Sequence, residues 1–225
     1  MDRRFSRPAP VLAVLLLTVA IAGATAAQDD AFNHPAYGER SSNETLMERS
    51  DLGNVTQTAR IFFSEGNREL KKAAKAEKKL ATAAIADDSE RAEYEAKITA
   101  AYEKAVAKFT DAIRNNPKML DAYTALGETY AKLGKHGERL QVHSAALKLA
   151  PGDEANFRGW AGALLALDML GDATRAWDHF HANDPPKAAI LMAEMKGWLE
   201  RRQADPGGLA EEDIRRMSDW LAARG

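Results

Sequence analysis

Leu120-Asp121-Ala122-Tyr123-Thr124-Ala125-Leu126-Gly127-Glu128-Thr129-Tyr130 begins a stretch that passes through Leu133-Gly134 and closes on Ala146-Leu147-Lys148-Leu149-Ala150-Pro151. Tyr123, Leu126 and Tyr130 recur at spacings of three and four, the period of one helix face, and Gly134 punctuates the pattern. The stretch therefore reads as two helices and a turn. Its closing hexapeptide repeats Ala112-Ile113-Arg114-Asn115-Asn116-Pro117 from 34 residues earlier. A helix pair of this size leaves an apolar face uncovered, so recurrence of the pair predicts stacking. A second match joins Leu133-Gly134 to Leu170-Gly171 and Tyr123 to Trp160 at 37 residues, which reads as the same unit with about one helical turn added.

Working outward, Ile98, Tyr102, Ala105, Val106, Phe109, Ala112 and Ile113 form one apolar stripe and predict a helix from about Ser89 to Asn115. Asp87, Asp88, Ser89 and Glu90 complement the positive end of its dipole, and Pro117 disfavours a helical Asn116. A preceding helix, about Gln57 to Ala84, places Phe62, Gly66, Leu70, Ala73, Ala74, Leu80 and Ala84 along one side. Two such stripes joined by a short turn should pack as an antiparallel hairpin. At the other end, Lys187–Gln203 and Leu209–Arg224 form a closing pair around the turn Asp205-Pro206-Gly207-Gly208. No stretch shows the apolar/polar alternation of a strand, so the expected class is all-α.

At these residues the chain resembles the tetratricopeptide repeat family, an antiparallel helix-hairpin solenoid whose 34-residue unit carries W-x2-L-G-x2-Y and a terminal Pro. Tyr123, Leu126, Gly127, Tyr130, Gly134, Ala146 and Pro151 match that pattern, whereas Arg139 and His143 stand where the family has Ala and Phe. The preceding unit keeps Phe62, Gly66, Ala105, Phe109, Ala112 and Pro117. The following one is aligned through Trp160, Leu167, Gly171, Ala176 and Phe180, with Ala163 and Leu164 replacing the Leu-Gly pair. The expected domain is 56–225, with units at about 57–117, 118–151 and 152–185 and capping helices over 187–224. The resemblance implies a concave groove, lined by the first helix of each unit, that binds a protein or peptide. Aligned to that groove are Phe63, Asn67, Asp121, Thr124, Glu128, Arg158 and Leu165. The family's clamp for C-terminal carboxylates needs Lys at the position of Phe63 and Asn at that of Ala125; only Asn67 and Arg158 match, so that ligand is not expected.

The remaining composition narrows the chemistry. The 225 residues carry 31 Lys+Arg against 33 Asp+Glu, a net charge of −2, so no overall basic field favours nucleic acid. The absence of cysteine excludes disulfides, zinc-thiolate sites, iron–sulfur clusters and thiol catalysis. Residues 1–27 read as an export signal: Arg3, Arg4 and Arg7, an apolar run Val11–Ala22 too short to span a bilayer, then small residues with cleavage after Ala26 or Ala27. Removing them takes away three Arg and one Asp and leaves a charge of −4. The expected location is periplasmic or secreted, in a bacterial envelope. Residues 28–55, polar and without a sustained period, read as a disordered lead segment.

No catalytic set emerges. His179 and His181 diverge by about 200° on a helix, and His136 and His143 lack a third ligand at suitable spacing. No phosphate loop, dinucleotide fingerprint or nucleophile elbow is present. No metal, cofactor or enzymatic activity is therefore expected. Arg68, Lys71, Lys72, Lys75, Lys78 and Lys79 form a basic run, expected to be a solvated face shadowed by the acidic residues of the next helix. The functional expectation is a non-enzymatic scaffold that binds a polypeptide. The alternative is attachment to the envelope surface through the basic run or an uncleaved signal. The open edges of a three-unit solenoid leave homo-oligomerisation open.

Overall fold

The computed structural model describes residues 42–82 and 88–224, with side chains from Gly53 onward. The export signal, residues 28–41 of the lead segment and Asp87 lie outside the described residues. By contact density the chain divides at residue 46, and residues 47–225 make up the unit that contains the repeats and the closing pair. The described residues form eight helices and no strand: α1 (Ser42–Thr82), α2 (Asp88–Asn115), α3 (Leu120–Lys132), α4 (His136–Leu149), α5 (Glu154–Ala166), α6 (Leu170–Asn183), α7 (Pro185–Ala204) and α8 (Glu211–Ala222). The class is all-α, as the periodicity predicts.

Helix α1 is longer than expected, beginning at Ser42 instead of Gln57. Glu44, Leu46, Met47, Glu48 and Arg49 are strong helix formers, and Gly53 costs a helix only about 1 kcal/mol. Residues 42–55 therefore continue the helix and do not belong to a structureless lead. The side of α1 that carries Ala59, Gly66 and Ala73, spaced by seven, is buried, and Gly66 and Ala73 meet α2. There the ring of Phe109 occupies the space a Cβ on Gly66 would need, and Phe63 lies 5.6 Å from it, centroid to centroid. Glu65 pairs with Lys108 at 2.7 Å, and the Tyr102 hydroxyl donates to Glu77 Oε1 at 2.7 Å. These contacts run in opposite chain directions, which gives the antiparallel hairpin. Burial is the main reason the Tyr102 hydroxyl pKa is raised, and its bond to Glu77 adds to the effect.

The repeat proves stricter than the 37-residue match implied. Helices α3 and α4 recur as α5 and α6 with every boundary shifted by 34 residues, and Pro117, Pro151 and Pro185 keep the same spacing. The α3–α4 turn places Gly134 at φ 68°, and the equivalent α5–α6 turn places Asp168 at φ 53°. Asp takes a backbone conformation that favours Gly, so the turn lost its glycine signature. Leu170-Gly171 opens α6 instead, and no helical turn is inserted. The inner positions of this unit are accordingly Phe157, Ala161, Leu164, Ala173 and Trp177, all buried. Trp160, Ala176 and Phe180 pack around them, half-buried.

The largest core joins α5 to α8 through Phe157, Leu165, Trp177, Leu191, Met195, Trp198, Met217 and Leu221. Full burial of Leu191 or Met195 contributes about 1.5–3 kcal/mol each. Helix α7 begins at Pro185, where the missing N–H costs nothing, and the Asp184 carboxylate accepts from Lys187 N at 3.3 Å. Helix α8 buries Ile214, Met217 and Leu221 and exposes Glu211, Glu212, Arg215 and Arg216, the outward polarity a terminal helix requires.

Candidate functional site

Helices α3, α5 and α7, with the start of α4, line an open groove of about 930 Å³. Thr124 and Glu128 come from α3, Ala155, Arg158 and Gly162 from α5, Glu194 and Arg201 from α7, and His136 and Arg139 from α4. The Arg139 guanidinium lies over Gly162, its nitrogens 3.3 Å from where a Cβ on that residue would stand. Its Nη2 donates to Glu128 Oε1 at 3.3 Å, while Nε is buried without a partner, as is Nδ1 of His136. Arg158 donates to Glu154 Oε1 from Nε at 3.0 Å and Nη2 at 2.8 Å, with Glu194 at 3.9 Å. Both signs of charge thus line one concave surface.

A buried polar network supports the groove from beneath. Asn156 donates its amide to Thr124 Oγ1 at 3.0 Å and to Asp153 Oδ1 at 2.9 Å. Its carbonyl oxygen faces Nδ1 of His143 at 2.9 Å. With both amide hydrogens engaged, Nδ1 must carry the proton and Nε2 the free lone pair in the neutral ring. Burial holds the His143 pKa below its ordinary value; the bond to Asn156 opposes that shift and the Arg139 charge adds to it. Asp153 also accepts from Asn156 N at 2.8 Å and so caps α5. The imidazole fits because Gly127 on α3 and Gly159 on α5 leave it the room that two Cβ atoms would fill.

Of the residues aligned to a groove, Thr124, Glu128 and Arg158 line it. Asp121 is exposed in the first turn of α3, outside that lining. Asn67, half-buried on α1, is also outside it, and Phe63 packs on Phe109 in the α1–α2 core. Leu165 is 1% exposed inside the α5–α8 core and, contrary to the alignment, does not line the groove. The 37-residue alignment put Leu165 opposite Glu128, whereas the 34-residue spacing puts Gly162 there. Ala155, Gly162, Arg139, His136, Glu194 and Arg201 line the groove but are absent from the aligned set, and the spacing from Pro151 to Pro185 is the signal that reaches the two on α5. The histidine pair of α6 is spread apart: His181 stacks on Trp177 at 4.4 Å and His179 meets the edge of Phe180 at 5.3 Å.

No family model matches the chain, and no curated protein matches it. A solved structure from Bacteroides ovatus ATCC 8483, named a "putative protein binding protein", is 14% identical and aligns over 82% of this chain and 90% of its own. The TM-score is 0.28.

Proposed function

We propose that the protein is a non-enzymatic scaffold of the bacterial envelope that holds a polypeptide segment in the groove formed by α3, α5 and α7. The observation behind this reading is the lining itself: a concave surface carrying Arg139, Arg158 and Arg201 beside Glu128 and Glu194, with Gly162 lowering its floor. Such alternation offers partners to both the carbonyl and amide groups of an extended chain and to charged side chains of either sign. Export through residues 1–27 would deliver the scaffold to the periplasm.

The test is in-cell photocrosslinking from Ala155, exposed in the groove, which leaves the Thr124–Asn156 bond intact. A control probe replaces Gln141, exposed on α4 away from the groove lining. A single polypeptide captured from Ala155 and absent from Gln141 is expected, and Arg158→Glu should reduce that capture. If a folded protein yields the same adducts from both positions, or none from Ala155, the groove is not a binding site.

A further inference from the structure

The basic run on α1 lies on the face opposite the hairpin core. Gly66 and Ala73 turn toward α2, while Arg68, Lys71, Lys72, Lys75, Lys78 and Lys79 are exposed. These eleven steps along the helix span about 16 Å. Asp87, one of the acidic residues expected to shade the run, lies outside the described residues. Glu93 pairs with Lys97 on its own helix, and Glu65 is engaged by Lys108 while also facing Arg68. Glu77, within the run, turns to Tyr102 and Lys132. Lys72 pairs with Glu69 at 2.6 Å, and Lys71, Lys75, Lys78 and Lys79 make no ion pair among the described residues. Ile61, seven residues before Arg68 on the same face, is 51% exposed.

We propose that this face of α1 docks on an anionic phospholipid surface. The run lies along one face of a single helix, and no aromatic side chain interrupts it to stack on nucleic-acid bases. Lysine ammonium groups on long stems reach a plane of phosphate headgroups from one side, and Ile61 can enter the boundary between headgroups and acyl chains. The attraction is local, because the whole chain carries a charge of −2 and its field does not draw anions. Each lysine near an anionic membrane strengthens association by about fivefold. This inference does not depend on what occupies the groove.

The experiment is vesicle flotation of the protein purified from the compartment where it accumulates. Phosphatidylglycerol-containing vesicles are compared with pure phosphatidylcholine, and the ratio cancels any contribution of the apolar run Val11–Ala22. Preference for the anionic vesicles is expected, lost at about 1 M salt, where the screening length falls to about 3 Å. The triple variant Lys71→Gln, Lys75→Gln, Lys78→Gln keeps helix-forming side chains at exposed positions and should lower anionic binding about 100-fold. Equal flotation with both vesicles, or anionic binding unchanged in the triple variant, overturns the proposal. So does retention on heparin, lost in the triple variant, without any flotation on the anionic vesicles, which would assign the face to a soluble polyanion.

Discussion

Nδ1 of His143 lies 2.9 Å from Oδ1 of Asn156, and this buried pair ties α4 to α5 at the base of the groove. The imidazole is clasped between Gly127 and Gly159, one from each flanking helix. Aromatic bulk usually fills such a position between stacked helices; here a polar ring does so, and a chain of hydrogen bonds from Thr124 through Asn156 to Asp153 accompanies it. The network carries groove geometry as well as stability, because Thr124 is a lining residue.

Replacing either glycine tests that clasp. Gly159→Ala or Gly127→Ala drives a methyl group into the ring of His143, and overpacking of this kind costs about 1–3 kcal/mol. Both should lower the midpoint of urea unfolding. In a His143→Ala background the added methyl group finds space, so the penalty of Gly159→Ala should shrink or change sign. A glycine substitution equally costly in both backgrounds would show that the ring does not set the local packing.

The same histidine makes stability depend on pH. Its folded pKa is depressed below the ordinary 6.5, chiefly by burial, so the unfolded chain takes up the proton first as pH falls. The stabilisation from keeping the ring neutral is fully present above about pH 6.5 and is lost as pH falls toward and through the depressed folded value. Chemical denaturation across this range should show unfolding free energy declining with acidification, at a slope no steeper than about 1.4 kcal/mol per pH unit for one proton. His143→Gln removes the titrating group and should flatten that part of the profile. An unchanged slope would assign the dependence to other groups.

Asp168 joins the α5–α6 turn to α7. Its carboxylate accepts from Trp198 Nε1 at 3.1 Å and from Arg202 Nη2 at 2.9 Å to each oxygen. Asp168→Gly relaxes the backbone at φ 53° but strands the indole N–H of a nearly buried Trp198. Losing the acceptor should outweigh the relief, for a net cost of about 1–3 kcal/mol. Asp168→Asn tolerates the same φ and keeps an acceptor for the indole, so its cost should be smaller. Thermal unfolding of the two variants orders them, and a more stable Asp168→Gly would mean that strain dominates the turn.

How far this architecture is legible in the sequence depends on which residues carry the pattern. The 3.6-residue stripes of α2 and the hexapeptides ending at Pro117 and Pro151 identify helix hairpins of the right size and order. The groove was harder to place, because its register in α5 hangs on the turn at Asp168, where an unusual residue fills a glycine conformation. Aligning Leu-Gly dipeptides instead of prolines turned Leu165 outward and hid Gly162. The buried network was invisible for another reason. His143, Asn156, Thr124 and Asp153 lie on three helices and the loop before α5, and no periodicity reports that two glycines have made room for a ring between them.

The uneven distribution of apolar contacts predicts uneven stability. The α5–α8 core is one large cluster, whereas α1 and α2 are held by smaller groups centred on Ala73, Tyr102, Ala105 and Phe109. Phe109 is fully buried against Gly66 and Phe63 and shares its cluster with Leu126 of α3, so it fastens the first hairpin to the rest. Phe109→Ala should cost about 3–5 kcal/mol at that junction. Because stacked units couple only to their neighbours, the loss should appear as opening of α1 and α2 while α5–α8 stay closed. Hydrogen exchange read by mass spectrometry distinguishes this from global destabilisation: protection should collapse over 53–82 and 88–115 and persist over 185–204. Uniform loss of protection along the chain would mean that the helices form one cooperative unit despite their separate cores.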